Sequence, residues 1–382
     1  MALAAFLLVI ALAAFEIARQ THPASGRQRA TRPSVLASKS IRAGVEQCVF
    51  FDASRPTEDY LTRQSSPGRR LVTDIFYPTL SRLPRRRLAS PGAPAGRLAV
   101  PGAVEGAAPA SSRGPYPAVF FLGGYGLDPR SYARLLEHWA VSGMVVVAPE
   151  PPDASAAAYS AVHGSSADEA DIPNEPGDVT FVTRQVLGDV AVTGHGCPVL
   201  RGLVDPSELG LAGQSDGGTV VGMLAFDQGE VPGTGTSYAS LRAGLDYRAV
   251  AIMSGQAWGD DPYAADASSP PLLAVQSATD RCNPPQESVD LYSALAEPRR
   301  WFLAIRRADH LTPYEGQDAP AFAAVSRVTT AFFEAALRGR PLRPALAAVS
   351  PPPSVGVLVA GAGLPSWIDV SLPESASACY KT

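Results

Sequence analysis

Six short runs of the chain are apolar at nearly every position: 117–122 (PAVFFL), 144–148 (MVVVA), 209–213 (LGLAG), 249–253 (AVAIM), 272–276 (LLAVQ) and 301–305 (WFLAI). Runs of this length without polar alternation suit strands covered on both faces, as in a parallel sheet. Two further segments, 45–51 and 71–77, are rich in Val, Ile and Phe and flank the turn-rich DASRPTED, which predicts a pair of strands at one sheet edge. Between these runs, 132–141, 177–187, the stretch from 216, 286–295 and 320–337 read as helices, with Asp178 in a first turn where its charge suits the helix dipole. The alternation predicts an α/β fold: a mostly parallel central sheet covered by helices on both faces, with chemistry at the carboxyl ends of the strands.

The segments without a period set the domain plan. Residues 2–15 are apolar without a break until Glu16. That is short of the roughly 20 residues a membrane span needs and suits the apolar core of a signal peptide. No basic residue precedes the run, so a membrane anchor is the alternative. The plan is a signal peptide or membrane anchor at 1–20, an Arg/Ser/Pro-rich linker at 21–43, an α/β domain at 44–343 and a Pro/Ala/Ser-rich tail at 344–382. Within the domain, 79–114 is expected to be a long surface loop with Arg85, Arg86 and Arg87 solvated, and 149–175 the polar rim of a cleft.

Composition narrows the partners. The 382 residues include 34 glycines and 36 prolines, clustered outside the periodic segments, so loops take much of the length. A net charge of −4 and a pI near 5.8 argue against a nucleic-acid partner. All but two of the 32 basic residues are arginines, and Lys39 and Lys381 lie near the ends, so no lysine is placed to form a Ser–Lys dyad in the core. The four cysteines (Cys48, Cys197, Cys282, Cys379) share no C-x-x-C or Cys/His spacing, which speaks against zinc. Their even number suits disulfides outside the cytosol. In the expected sheet Cys197 lies at the foot of a strand and Cys282 on a loop at the opposite edge, which disfavours their pairing. The other two connectivities, and four free thiols, stay open.

The candidate chemistry centres on 209–225, LGLAGQSDGGTVVGMLA, a strand, a sharp turn and a helix with Ser215 at the apex. Gly213-Gln214-Ser215-Asp216-Gly217 is a G-x-S-x-G elbow. The serine must take a strained backbone conformation there, and a side chain two residues to either side would collide with the turn. Such a serine needs a base and an acid later in the chain. His22, His138, His163 and His195 all precede it; His310, just after the strand WFLAI, alone follows. The acid belongs on the loop after LLAVQ, where Asp280 stands in SATDRCNPP, with Asp260, Asp261 and Asp266 as alternatives. Asp309 neighbours the histidine too closely in the backbone to face its ring and reads as solvated. Two N–H groups are expected to receive a developing oxyanion: that of Asp216, and that of Tyr125 in the turn Gly123-Gly124-Tyr125-Gly126. No G-x-G-x-x-G occurs, so a dinucleotide is not supported. The chemistry needs no cofactor, and no metal site is expected.

The succession FLGGYG, GMVVVAPEP, LGLAGQSDGG, ATDRCNPP and ADHLTP resembles the α/β-hydrolase superfamily. Within it the chain is similar to the group of platelet-activating-factor acetylhydrolases, dienelactone hydrolases, chlorophyllases and cutinase-type polyester hydrolases, over about residues 44–341. The stretch YPAVFFLGGYGLDPRSYARLLEHWAVSGMVVVAPEPPD carries the likeness to chlorophyllases and polyester hydrolases, while CVFFDASRPT and RRLVTDIFYPT resemble the first strands of the acetylhydrolase-like members. The resemblance implies an α/β-hydrolase fold and an esterase with Ser215 as nucleophile, Asp280 as acid, His310 as base and Tyr125 and Asp216 as oxyanion donors. It further implies that Trp258, in MSGQAWGDD, and Gln214 contact substrate, a small-molecule or polymeric ester. Two residues depart from the pattern: Gln214 stands where a histidine is usual, and Asp216 where polyester hydrolases carry Met and chlorophyllases Arg. A carboxylate pointing inward at 216 would disfavour anionic acyl groups. No cysteine neighbours His310 in sequence, so the active-site disulfide of polyester hydrolases has no counterpart. The expected location is secreted, or extracytoplasmic and membrane-associated through 2–15. Alternatives to hydrolysis are a non-catalytic binding scaffold and an acyltransferase using the same triad.

Overall fold

The computed structural model of the protein describes residues 40–59, 62, 64–81, 98, 100, 102–161, 166–188, 197–295, 299–375 and 379. The expected signal or anchor segment and most of the linker lie outside them. Ten strands form one sheet: β1 (Arg42–Asp52), β2 (Arg69–Thr79), β3 (Ala103–Glu105), β4 (Tyr116–Leu122), β5 (Val145–Glu150), β6 (Val204–Gln214), β7 (Tyr247–Met253), β8 (Leu272–Ser277), β9 (Arg300–Ile305) and β10 (Gly356–Ala360). Their spatial order is β10-β9-β8-β7-β6-β4-β5-β2-β1-β3. The block from β9 to β5 is parallel throughout, whereas β2 pairs antiparallel with both β5 and β1. The order reverses between β4 and β6, so the carboxyl end of β6 opens into a crevice at the switch point, where α/β sheets place their chemistry.

The helices include α1 (Ala133–Val141), α2 (Glu175–Gly188), α3 (Asp216–Phe226), α4 (Pro285–Ala294), α5 (Ala319–Leu337) and α6 (Leu342–Ala347), with further short ones at Ala156–Ala161, Tyr238–Leu241 and Thr312–Glu315. The unbroken apolar runs are explained by two cores, one on each sheet face. In β4, Ala118, Phe120 and Leu122 pack with Val179 of α2 and Leu224 of α3, while Val119 and Phe121 pack with Trp139 of α1 and Phe333 of α5. In β5, Val145 and Val147 face the first core and Val146 and Ala148 the second. A polar residue at either parity would lose its water on one face or the other, and the one in these runs, Gln276, is paired: its Nε2 donates to Asn283 O and its Oε1 accepts from Ser254 Oγ, both at 2.7 Å. Trp139 buries its ring and donates from Nε1 to Thr329 Oγ1 at 3.0 Å, locking α1 to α5.

Two segments read as irregular contain structure. Within 79–114, β3 adds to the edge in parallel with β1, and Arg130 fixes it by pairing with Asp74 at 3.0 Å and Glu105 at 2.9 Å. In the tail, α6 packs Leu346 into the second core, and β10 runs antiparallel to β9 and covers its free edge. Among the described residues no helix is long and apolar enough to cross a membrane.

Candidate active site

The elbow follows from steric exclusion. At the end of β6, Ser215 has φ 57° and ψ −127°, a conformation costing on the order of 1–3 kcal/mol for a residue with a Cβ. The turn holds it because β6 and α3 approach more closely than side chains permit. A Cβ on Gly213 would collide with the Gly217 carbonyl, and one on Gly217 with the Leu122 and Gly123 carbonyls. Ser215 N–H donates to Met253 O at 2.9 Å, which ties the apex to the end of β7.

Three side chains from separate loops converge here. His310 Nε2 lies 2.9 Å from Ser215 Oγ, and His310 Nδ1 lies 2.9 Å from Asp280 Oδ2. Asp280 is fully buried, His310 is 2 % exposed and Ser215 is 8 % exposed. A carboxylate only accepts, so Nδ1 carries the proton toward Asp280 and Nε2 presents its lone pair to the serine hydroxyl. The other carboxylate oxygen, Oδ1, accepts from the N–H groups of Cys282 (3.0 Å) and Asn283 (3.2 Å). The acid and base loops are clasped together: Ala308 N–H donates to Ser277 Oγ at 3.0 Å, and the Ser277 and Thr279 hydroxyls donate to Ala308 O, both at 2.9 Å. Of the other aspartates considered, two are engaged within their own loops. Asp266 is exposed and accepts from Ser268 and Ser269, while Asp309 Oδ1 accepts from the N–H groups of Leu311 and Thr312.

Gln214 is corrected. It was expected to contact substrate, but it is fully buried and its amide is engaged within the protein. Gly124 N–H donates to Tyr132 Oη (3.0 Å), so the tyrosine hydroxyl must donate onward to Gln214 Oε1 (2.6 Å). That fixes the amide orientation, and Gln214 Nε2 then donates to His310 O at 3.2 Å while lying 3.2 Å from His310 Nε2. The chain of donors runs from the turn after β4, through the elbow, to the base. Sequence reasoning missed Tyr132, and only its place 82 residues before Gln214 in space-filling contact reveals its part.

Tyr125 is 3 % exposed, and its ring meets that of Tyr159 edge-on at 5.5 Å. Its turn neighbours are both engaged, Gly124 N–H by Tyr132 and Gly126 N–H by Ala154 O. Asp216 is the first residue of α3, where backbone N–H groups have no partner within the helix. Its carboxyl is partly exposed as a residue, yet Oδ2 is sealed from solvent and receives no hydrogen bond among the described residues. Burial lifts this carboxyl from 3.8 to about 6, against the pull of His310. Trp258 is part-exposed, donates from its backbone N–H to Tyr263 Oη at 3.0 Å and packs its ring against the first core.

A second set of buried charges lies where α2 meets β1 and β2. Arg69 binds Asp171 at 2.5 Å and Asp178 at 2.7 Å, and Arg55 binds Asp52 at 2.7 Å and Asp178 at 2.5 Å. Burial opposes the Arg69 charge, but Asp178 and Asp171 outweigh it and raise its pKa. Glu175, 1 % exposed, is not bonded in this way: among the described residues Oε1 receives no hydrogen bond, and burial, with Asp171, Asp216 and Asp178 adding to it, pushes its pKa well above 4.5 against the pull of Arg69.

Two disulfides are present. Cys48–Cys197 joins β1 to the segment before β6, and Cys282–Cys379 ties the acid loop to the tail, where Ser375 N–H also donates to Arg281 O at 2.7 Å. This is one of the connectivities left open, and it puts a disulfide beside the acid, not beside the base.

No family model matches the chain, and no curated protein matches it. Among solved structures it is similar to a ferulic acid esterase from Streptomyces cinnamoneus, with 20 % sequence identity, a TM-score of 0.55, and coverage of 80 % of this chain and 92 % of that one. Together with the strand order and the helices on both faces, this likeness gives the chain an α/β-hydrolase fold.

Proposed function

We propose that the protein is a serine-dependent carboxylic ester hydrolase. The observation that carries this reading is the pair of 2.9 Å contacts linking Ser215 Oγ to His310 Nε2 and His310 Nδ1 to Asp280. His310 takes the Ser215 proton as Oγ attacks the ester carbonyl, and the Tyr125 and Asp216 N–H groups receive the oxyanion. Asp280 holds the imidazole in the required tautomer and stabilises the imidazolium. His310 then protonates the leaving alcohol and activates water to release the acyl group from Ser215. The fold shared with a ferulic acid esterase is in line with ester hydrolysis. The substrates are short- to medium-chain or polyester-like esters, with Tyr125 and Trp258 as aromatic walls. The two disulfides support a secreted or extracytoplasmic location, with 2–15 as signal or anchor.

The test is hydrolysis of p-nitrophenyl acetate and butyrate by the purified protein. Ser215→Ala is expected to lower kcat by about 10⁴-fold or more, and unchanged activity in that variant overturns the assignment. Covalent labelling by a fluorophosphonate separates the enzyme from a binding scaffold of the same fold. Product analysis with an added alcohol separates hydrolysis from acyl transfer.

A further inference from the structure

We propose that the Asp216 side chain selects substrate by charge: the cleft favours esters carrying an ammonium or other strong hydrogen-bond donor near the scissile carbonyl and rejects esters carrying a carboxylate there. The proposal rests on Ser215 being the nucleophile, because that places Asp216 one residue from the attacking oxygen.

Three observations support it. First, Asp216 Oδ2 is sealed from solvent and no described protein group donates to it. Buried acceptors are seldom left this way, and an exception beside a nucleophile marks a group kept for a ligand. Second, the cations of the cluster beside Glu175 are committed. Arg69 binds Asp171 and Asp178, and Arg55 binds Asp52 and Asp178. Among the described residues His310 is the base whose field reaches the Asp216 carboxyl, and it is held between Ser215 and Asp280. Third, Glu175 is buried within the electrostatic reach of Asp216 and also presents an oxygen, Oε1, without a donor. Two carboxyl oxygens without described protein donors thus lie on one side of the elbow, and of the two groups Asp216 is the one that carries charge at neutral pH. An ammonium group on the substrate would supply the missing donor and the opposing charge together, and charge-assisted bonds are the strong ones. An anionic acyl group would meet the Asp216 carboxylate and the developing oxyanion, so discrimination comes from repulsion as well as attraction.

The experiment compares three p-nitrophenyl esters of similar length: butyrate, 3-ammoniopropanoate, whose N–H groups can donate, and hemisuccinate. The readout is the ratio of kcat/KM for the cationic to the anionic ester, which cancels changes shared by both, including those of His310. In the wild type at pH 7.5 the cationic ester is expected to be preferred, and Asp216→Asn, which keeps the backbone N–H, is expected to reduce the ratio roughly tenfold or more. The wild type supplies a second arm that needs no variant. Lowering the pH to 5 neutralises Asp216, so the ratio should fall; His310, Glu175 and Tyr132 are the other titratable groups that share its field. A ratio insensitive to both the substitution and the pH, or a preference for hemisuccinate, overturns the proposal. If that happens while hydrolysis still depends on Ser215, the esterase reading stands and the charge selection alone fails. Wild-type protein that hydrolyses none of the three overturns both.

Discussion

Glu175 and Asp178 occupy the same first turn of α2, three residues apart and both buried, yet their surroundings differ. Both oxygens of Asp178 accept from guanidinium groups, of Arg55 and Arg69, and Asp171 accepts from Arg69 and Asn174. Glu175, which feels the Asp216 charge, has an oxygen that receives no hydrogen bond among the described residues. Burial is therefore not what separates a structural carboxylate from a functional one; the presence of a partner is. The Arg69 set joins α2 to the first strands and leaves little for a ligand to add. The Asp216 and Glu175 pair leaves its electrostatics incomplete next to Ser215.

Breaking the satisfied side should have the largest effect on stability. Arg69→Leu strands Asp171 and Asp178 without their main partner, and urea denaturation is expected to show a loss of about 3–5 kcal/mol. A loss below about 1 kcal/mol would place the Arg69 set with exposed pairs and remove the contrast. The donor chain at the elbow comes next. Gln214→Leu removes the amide between Tyr132 and the base loop, and kcat/KM for p-nitrophenyl butyrate is expected to fall on the order of 10–100-fold, the scale of a small misplacement of a catalytic group. The fall should appear in kcat, since Gln214 is buried away from substrate, so a change confined to KM would contradict the chain described.

The smallest effect is expected on the unsatisfied side, with the opposite sign. The folded-state pKa of Glu175 is raised, so the folded protein holds a proton that the unfolded chain releases near pH 4.5. Stability is then lost as pH rises from that value through the folded pKa. Glu175→Gln, which cannot ionise, should match the wild type at pH 4 and become the more stable of the two by pH 8. Thermal melts at the two pH values would show it. A variant less stable than the wild type at pH 8 would mean that the Glu175 charge is favourable where it lies.

How far the sequence foretold these features depended on whether each was local. The elbow was legible because Gly213, Ser215 and Gly217 answer to sterics within five residues. His310 was legible by elimination, and Asp280 by counting strands. The Tyr132–Gln214–His310 chain was not, because its links span 82 and 96 residues and only the sheet order brings them together. Gln214 accordingly read as a substrate contact. The pairing of Arg69 with Asp171 and Asp178 spans 102 and 109 residues and left no local mark. The edge strands β3 and β10 were hidden for another reason. Each is only a few residues long, lies among prolines and glycines, and is strand only because a neighbour offers its free edge.

The bond between Cys282 and Cys379 has a mechanical consequence. Tension applied at the end of the chain enters at Cys379 and crosses through sulfur to Cys282, bypassing the 97-residue separation between them. That by-passed length, about 320–350 Å if fully drawn out, contains β9, α5, β10 and His310 and carries no load. The load arrives instead two residues from Asp280, on the segment whose N–H groups hold that carboxylate. A force on the tail would therefore be felt first at Asp280, before any strand of the sheet is asked to give.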